Sequence, residues 1–173
     1  MNKPDTTQMS QLNQLLRRLI DAKIDFVVIG EFAGMLHGSS YVACSLEICA
    51  VPTPSSIRHL RETLADLNPV HRMTPMNTTL SFLNIPRDGE TFDNFYLNTD
   101  LGTIDILSNV IGVGDFERLK STATAMPFQG KTCLVMSLED LIKAKETLAR
   151  EKDLLVAKQL RAIAAARNQT PQK

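Results

Sequence analysis

"YVACSLEICAV", Tyr41 to Val51, is an oily run interrupted by a hydroxyl and a carboxylate. Side chains alternate across a strand, so Ser45, Glu47 and Cys49 share one face and Leu46, Ile48 and Ala50 the other. The run reads as a buried strand with a polar face near its start. "LGTIDILSNV", from Leu101, repeats the arrangement, with Thr103, Asp105 and Leu107 opposite Ile104 and Ile106. A lone carboxylate in an apolar setting is costly unless it is paired, hydrogen-bonded or bound to a metal. Two readings are open on this pattern. Either Glu47 and Asp105 converge on one site, or each lies at a strand end and accepts hydrogen bonds from backbone or lysine.

Outward from these two strands, the pattern alternates helix and strand only in the first half. Leu12, Leu15, Leu16, Leu19 and Ile20 recur at helical spacing, which predicts a helix over about Met9 to Lys23. "FVVIG" reads as a short buried strand, and "EFAGMLHG" as a short helix with Gly38 at its C-cap. "PTPSS" is a helix start with Ser55 or Ser56 at the N-cap, followed by a stripe of Ile57, Leu60, Leu64 and Leu67. "LSFLNI" and "FDNFYLNT" read as two strands around the turn "PRDGE". Asp115 is placed to start a helical turn, and "TAMPFQGKTCLVM" reads as a hairpin about Gln129-Gly130. Ser137 caps a helix with Asp140 at its third position, and the helical pattern continues through Arg167 with a bend near Arg150. The expectation is an α/β (α+β) protein: a mixed sheet flanked by helices and a C-terminal helical segment. Residues 1–136 form the core, 137–167 the C-terminal helices packed on it, and 168–173 a flexible tail.

The 173 residues suit one domain, and the hydrophobic share of 43% can fill its core. Lysine plus arginine balances aspartate plus glutamate at 19 each, which argues against a broad nucleic-acid-binding face. Three cysteines without metal spacing point to packing: Cys44 and Cys133 as small core residues, Cys49 as a thiol on the Glu47 face. The amino terminus has no apolar core, and the longest oily run is too short to cross a bilayer, so the cytoplasm is expected, with no membrane partner.

"FVVIGEFAGMLHGSSYVACSLEICAV", "GTIDILSNVIGVGDFERL" and "MSLEDLIKAKETLAREKDLLVAKQL", in this order, resemble the small nucleotidyltransferase-fold proteins of bacteria, including those of toxin–antitoxin and abortive-infection modules. The resemblance spans about Leu15 to Leu160. It implies a nucleoside triphosphate as substrate or ligand, Mg2+ as cofactor, and transfer of a nucleotidyl group to a hydroxyl of an RNA, a protein or a small molecule. Two magnesium ions about 3.5–4 Å apart serve such a displacement, and hard oxygen ligands hold them.

Carried over by resemblance, Asp105 matches the third aspartate of the family, Gly30 the first residue of the phosphate turn, and His37-Gly38-Ser39 the run closing the short helix. The family's Asp-x-Asp is replaced by Ser45-x-Glu47, and Glu31 stands where a second small turn residue belongs. Metal ligation falls to Glu47 and Asp105, and nucleotide binding to Gly30, Glu31, Ser39, Lys145 and Lys152. Lys145 or Lys152 could reach a triphosphate or pair with Asp105. The alternative from spacing alone is a set of helix-surface pairs, Glu146 with Arg150 and Arg150 with Asp153. Ser45 lacks a charge, Glu47 is one methylene too long, and Glu31 repels phosphate. The three changes imply a retained fold with impaired or lost transfer. A working enzyme using Glu47 and Asp105, and a regulatory protein with no nucleotide pocket, are the alternatives.

Overall fold

A computed structural model describes residues 6–75, 78–90 and 92–169. The chain begins with α1 (Thr6–Asp21), whose stripe of Leu12, Leu15, Leu16 and Leu19 is fully buried. β1 (Val27–Ile29) is buried along its length and runs straight into α2 (Gly30–His37). β2 (Leu46–Cys49) follows, then α3 (Pro54–Leu64) and a one-turn 3-10 helix over Ala65–Leu67. β3 (Val70–His71), β4 (Asn94–Thr99) and β5 (Gly102–Leu107) come next. A two-stranded ribbon of β6 (Asn109–Val110) and β7 (Gly114–Asp115) leads into α4 (Phe116–Thr122). β8 (Thr124–Phe128) and β9 (Lys131–Val135) form a hairpin, and α5 (Leu138–Leu148) and α6 (Glu151–Gln169) complete the chain.

The main sheet has seven strands in the order β3-β4-β5-β2-β1-β9-β8. β2 is parallel to β5, and β1 is parallel to β9. The other pairings are antiparallel, so the sheet is mixed, as expected. In its centre Leu46, Ile48, Ile104, Ile106, Phe95 and Leu97 are buried. They alternate with half-buried Glu47, Asp105 and Tyr96. One face of these three strands therefore belongs to the core and the other to a cleft.

Several local expectations are corrected. The run from Tyr41 is not strand throughout: the ladder begins only at Leu46, and Tyr41–Ser45 are irregular. Cys44 is consequently exposed, not a core residue, and its carbonyl accepts from the Gln8 amide at 3.2 Å. "LSFLNI" is no strand either; only Ser81 makes an isolated bridge, to Val70. Its backbone is satisfied another way: the Leu80 carbonyl accepts from His71 N–H, Phe82 N–H donates to the Pro69 carbonyl, and the Arg61 guanidinium donates to the carbonyls of Phe82 and, just beyond, Pro86. Phe82 itself is buried edge-on against Phe95 and His71. The N-cap of α3 is Thr53, two to three residues ahead of the expected serines. Its hydroxyl accepts from Ser56 N–H at 3.1 Å, and Pro54 takes the first helical position, where a missing N–H costs nothing. The bend near Arg150 is a full break, with Ala149 left-handed at the end of α5. The tail expected from residue 168 starts inside α6, and residues 170–173 lie outside the described ones.

Asp115 caps α4, Ser137 caps α5, and Gln129-Gly130 turn the hairpin with both φ values positive. Ile104 is fully buried on the central strand β5. Ile104→Ala should therefore lower stability by about 2–5 kcal/mol, the usual cost of a large-to-small change in a packed core. Urea denaturation measures it.

Candidate functional site

Register builds the site. Ile29, at the end of β1, pairs with Glu47, Glu47 with Asp105, and Asp105 with Tyr96. Cross-strand partners lie on the same face about 5 Å apart, so the Glu47, Asp105 and Tyr96 side chains form one row. The two expected carboxylates thus stand side by side on neighbouring parallel strands.

Glu47 is turned toward the start of α2. Its Oε2 accepts the Glu31 backbone N–H at 3.1 Å. It lies against Gly30, whose φ is +65°, and a Cβ there would come within 1.7 Å of that oxygen. Glycine is required at this position twice over, by the left-handed backbone and by the carboxylate. The helix start that could receive a phosphate therefore already holds an anion from its own chain. Burial pushes the Glu47 carboxyl above its ordinary range, although the Glu31 N–H and the Lys145 charge pull the other way.

Each acid around this row has a partner. The Arg72 guanidinium is ion-paired to Asp105 and lies 5.8 Å from the centre of the Tyr96 ring. Its backbone N–H donates to the Tyr96 carbonyl at 2.8 Å. Lys152 meets Glu31 at 2.5 Å, so Lys152 and Glu31 neutralise one another. Lys145 does not pair with Asp105 but with Asp153, at 3.2 Å, and both are buried. Arg150 closes on the other oxygen of Asp153 at 2.5 Å. Burial raises the Asp153 carboxyl, but hydrogen bonds from Arg150 and Lys145 outweigh it and hold it below the ordinary range. The expected pair of Glu146 with Arg150 is absent among the described residues; Glu146 pairs with Arg161 of α6 instead.

The remaining expected residues are near but differently employed. Ser45 stands half-buried at the bend just before β2. The Ser39 hydroxyl donates to the Gln159 side chain of α6 at 2.7 Å, and Ser40 bonds the same amide. His37 is buried, with Nε2 2.8 Å from the Met136 carbonyl and Nδ1 3.2 Å from Arg167. Burial, with help from Arg167, holds its ring below the ordinary pKa despite the Met136 bond. Cys49 is buried, and its thiol is pushed up to about 11 by burial and by Asp115. At neutral pH it is a packed thiol, not a nucleophile.

Arg72, Tyr96 and Gln159 were not expected at the site from the sequence, whereas the expected pair of Arg150 with Asp153 is present. Tyr96 carried a usable signal, since it shares the polar face of β4 with Asn94 and Asn98. Arg72 carried none, because its partner lies 33 residues away. A cleft of about 240 Å³ opens between this row and α5, lined by Glu47, Asn94, Tyr96, Leu141, Lys145 and Leu148 among others.

Two adjacent carboxylates, one held by an arginine and the other by a backbone N–H, do not fit a pair of magnesium ions, which need several free oxygens in octahedral array. No cluster of three or more metal-ligating side chains occurs among the described residues.

Two outcomes test this geometry. Gly30→Ala should cost more in the wild-type background than alongside Glu47→Ala, by about 1–3 kcal/mol, because the carboxylate is what the new methyl overlaps. A double-mutant cycle in urea reads the difference. A carboxyl that protonates more easily folded than unfolded makes stability fall as pH rises from about 4.3, its unfolded pKa, through its higher folded value. Glu47→Gln should hence be more stable than the wild type at pH 7. The gain should fade toward pH 4, as denaturation across that range would reveal.

No family model matches the chain, and no curated protein matches it. Solved structures do. The lincosamide antibiotic adenylyltransferase LnuA, crystallised with lincomycin bound, aligns with TM-score 0.59 at 13% identity, over 94% of this chain and 99% of that one. TM1012 of Thermotoga maritima, described as a nucleotidyltransferase, aligns with TM-score 0.56 at 17% identity over 96% of each chain. The antibiotic-resistance factor ANT(2'')-Ia aligns with TM-score 0.50 at 12% identity, over 95% of this chain and 96% of that one. At such identities the likeness concerns the fold: the chain has a nucleotidyltransferase fold, with a mixed sheet flanked by helices.

Proposed function

We propose that this is a nucleotidyltransferase-fold protein in which transfer of a nucleotidyl group from a nucleoside triphosphate is impaired or lost, and which acts by binding. One observation carries the reading: the acids in and beside the cleft are matched by groups of the same chain, Asp105 by Arg72, Glu31 by Lys152 and Glu47 by the Glu31 N–H. In the transfer, an acceptor hydroxyl oxygen attacks the α-phosphorus, the bond to pyrophosphate breaks and the hydroxyl proton leaves. Charge must be neutralised on both the attacking and the leaving oxygen. Here Glu47, Asp105 and Ser45 occupy the catalytic positions, with one carboxylate fewer than the resemblance requires, and the two that remain are engaged. Gly30, Glu31, Ser39, Lys145 and Lys152 mark the nucleotide side.

Residues 1–136 serve as the transferase-like core, and 137–167 supply Lys145 and Lys152 from the helical segment. The cleft between them is large enough for part of a nucleotide or another small molecule. A partner protein or RNA, as in the toxin–antitoxin modules that the sequence resembles, would be engaged without modification. The second reading, a working magnesium-dependent transferase, draws on the adjacency of Glu47 and Asp105. It requires Arg72 to leave Asp105 and Glu47 to leave the α2 N–H.

The expected result is no transfer of label from radiolabelled triphosphates to RNA, protein or small hydroxyl acceptors in the presence of magnesium; label transfer would overturn the proposal. The combined change Glu31→Gly, Ser45→Asp, Glu47→Asp should raise affinity for ATP about tenfold or more in calorimetry, because it frees the N–H groups at the phosphate turn and releases Lys152 from Glu31.

A further inference from the structure

We propose that Arg72 is a built-in cation: its guanidinium occupies the place on Asp105 that a divalent ion would need, and so keeps such ions off the Asp105–Glu47 pair. The inference rests on the functional reading above only for the identity of the site. It concerns what the carboxylates bind, not what they catalyse.

Three separate contacts fix Arg72. It follows directly on β3, so its backbone is locked to the sheet edge by the bond to the Tyr96 carbonyl. Its guanidinium lies over the Tyr96 ring, which favours a cation at that height above the sheet. It ends on Oδ1 of Asp105, one strand further in. Arg72, Tyr96, Asp105 and Glu47 therefore read across the sheet as cation, ring, acid, acid. The Asp105 side chain is only 16% exposed. A hydrated ion cannot reach it from the Arg72 side without displacing the guanidinium.

The competition favours the arginine on general grounds. A group tethered beside its partner acts at an effective concentration in the millimolar range or above. A divalent ion offered two carboxylates, one of them turned away, must give up hydration water for an incomplete coordination shell. Arginine stays charged at any physiological pH and holds a carboxylate through directed N–H bonds. The remaining acids are provided for as well: Glu31 has Lys152, Asp153 has Lys145 and Arg150, and Glu47 feels Lys145.

The probe is Mn2+ alone, followed by its paramagnetic effect on water-proton relaxation, with the full chain and no nucleotide. Arg72→Ala should bind Mn2+ at least tenfold more tightly than the wild type. Arg72→Ala combined with Asp105→Asn should lose that gain, and Arg72→Lys, which keeps the charge, should show none of it. Arg72→Gln runs in parallel, since it keeps polar length over Tyr96 should the alanine variant misfold. Wild-type binding as tight as that of the Ala and Gln variants, no gain on removing the charge, a gain that survives Asp105→Asn, or a gain equally large with lysine would each overturn the proposal. None of these outcomes depends on label transfer or on ATP affinity, so a failure here is separable from a failure of the proposed function.

Discussion

The parallel register of β2 and β5 sets Glu47 beside Asp105, and much of the cleft is a response to that placement. Two carboxylates on neighbouring strands repel, and the repulsion grows as burial lowers the local dielectric. The register cannot slip to relieve it. A shift of one strand by one residue would carry either Leu46 and Ile48 or Ile104 and Ile106 from the core to the opposite face. The acids are therefore fixed by hydrophobic packing on the opposite face, and neighbouring elements must supply compensation. Arg72 comes from the β3 side, and Lys145 from α5. The Glu31 N–H, and the room that the missing Cβ of Gly30 leaves for the Glu47 carboxylate, come from the β1–α2 junction.

The C-terminal helices owe their position to the same demand. α5 ends on a left-handed Ala149, so the chain changes direction before Arg150 and α6 starts afresh. The break brings Lys145 from one helix and Asp153 from the next into a buried pair, with Arg150 capping it from the surface. Breaking one partner of such a pair strands a charge, typically at 3–5 kcal/mol. The same α6 is tied to the region between α2 and β2 through Gln159 on Ser39 and Ser40, and through Arg167 on the His37 carbonyl. Ser39, which the resemblance assigns to nucleotide binding, is thus engaged in holding a helix in place.

The sequence made the fold readable because its signals were periodic: the leucine stripe of α1, the alternation in β2 and β5, the caps at Asp115 and Ser137. It failed where a residue's surroundings came from elsewhere in the chain. "LSFLNI" has strand-like composition, but Arg61 and His71 take up its carbonyls and Phe82 is taken into an aromatic cluster. Cys44 sits in an oily run yet lies outside the ladder. At the site, alternation was enough to put Glu47 and Asp105 on one face. Pairing was not legible, because a lysine or arginine on a helix or loop carries no mark of which distant acid it meets. Lys145 went to Asp153, Lys152 to Glu31, and Arg72, a loop residue with no role legible in the sequence, to Asp105.

A charge balance of this kind changes what restoring a lost acid would mean. Around the cleft, Glu31, Glu47, Asp105 and Asp153 face Arg72, Lys145, Arg150 and Lys152. In a metal-dependent site the surplus of carboxylates is the attraction for the ions, and the ions in turn permit that surplus. Here the surplus is gone, so an aspartate at position 45 alone would add an anion with no cation assigned to it and raise the repulsion on Glu47. The position that decides whether a divalent ion can return is then Arg72 as much as Ser45. The two positions are coupled through Asp105 and Glu47, and neither can be understood from its own segment of sequence.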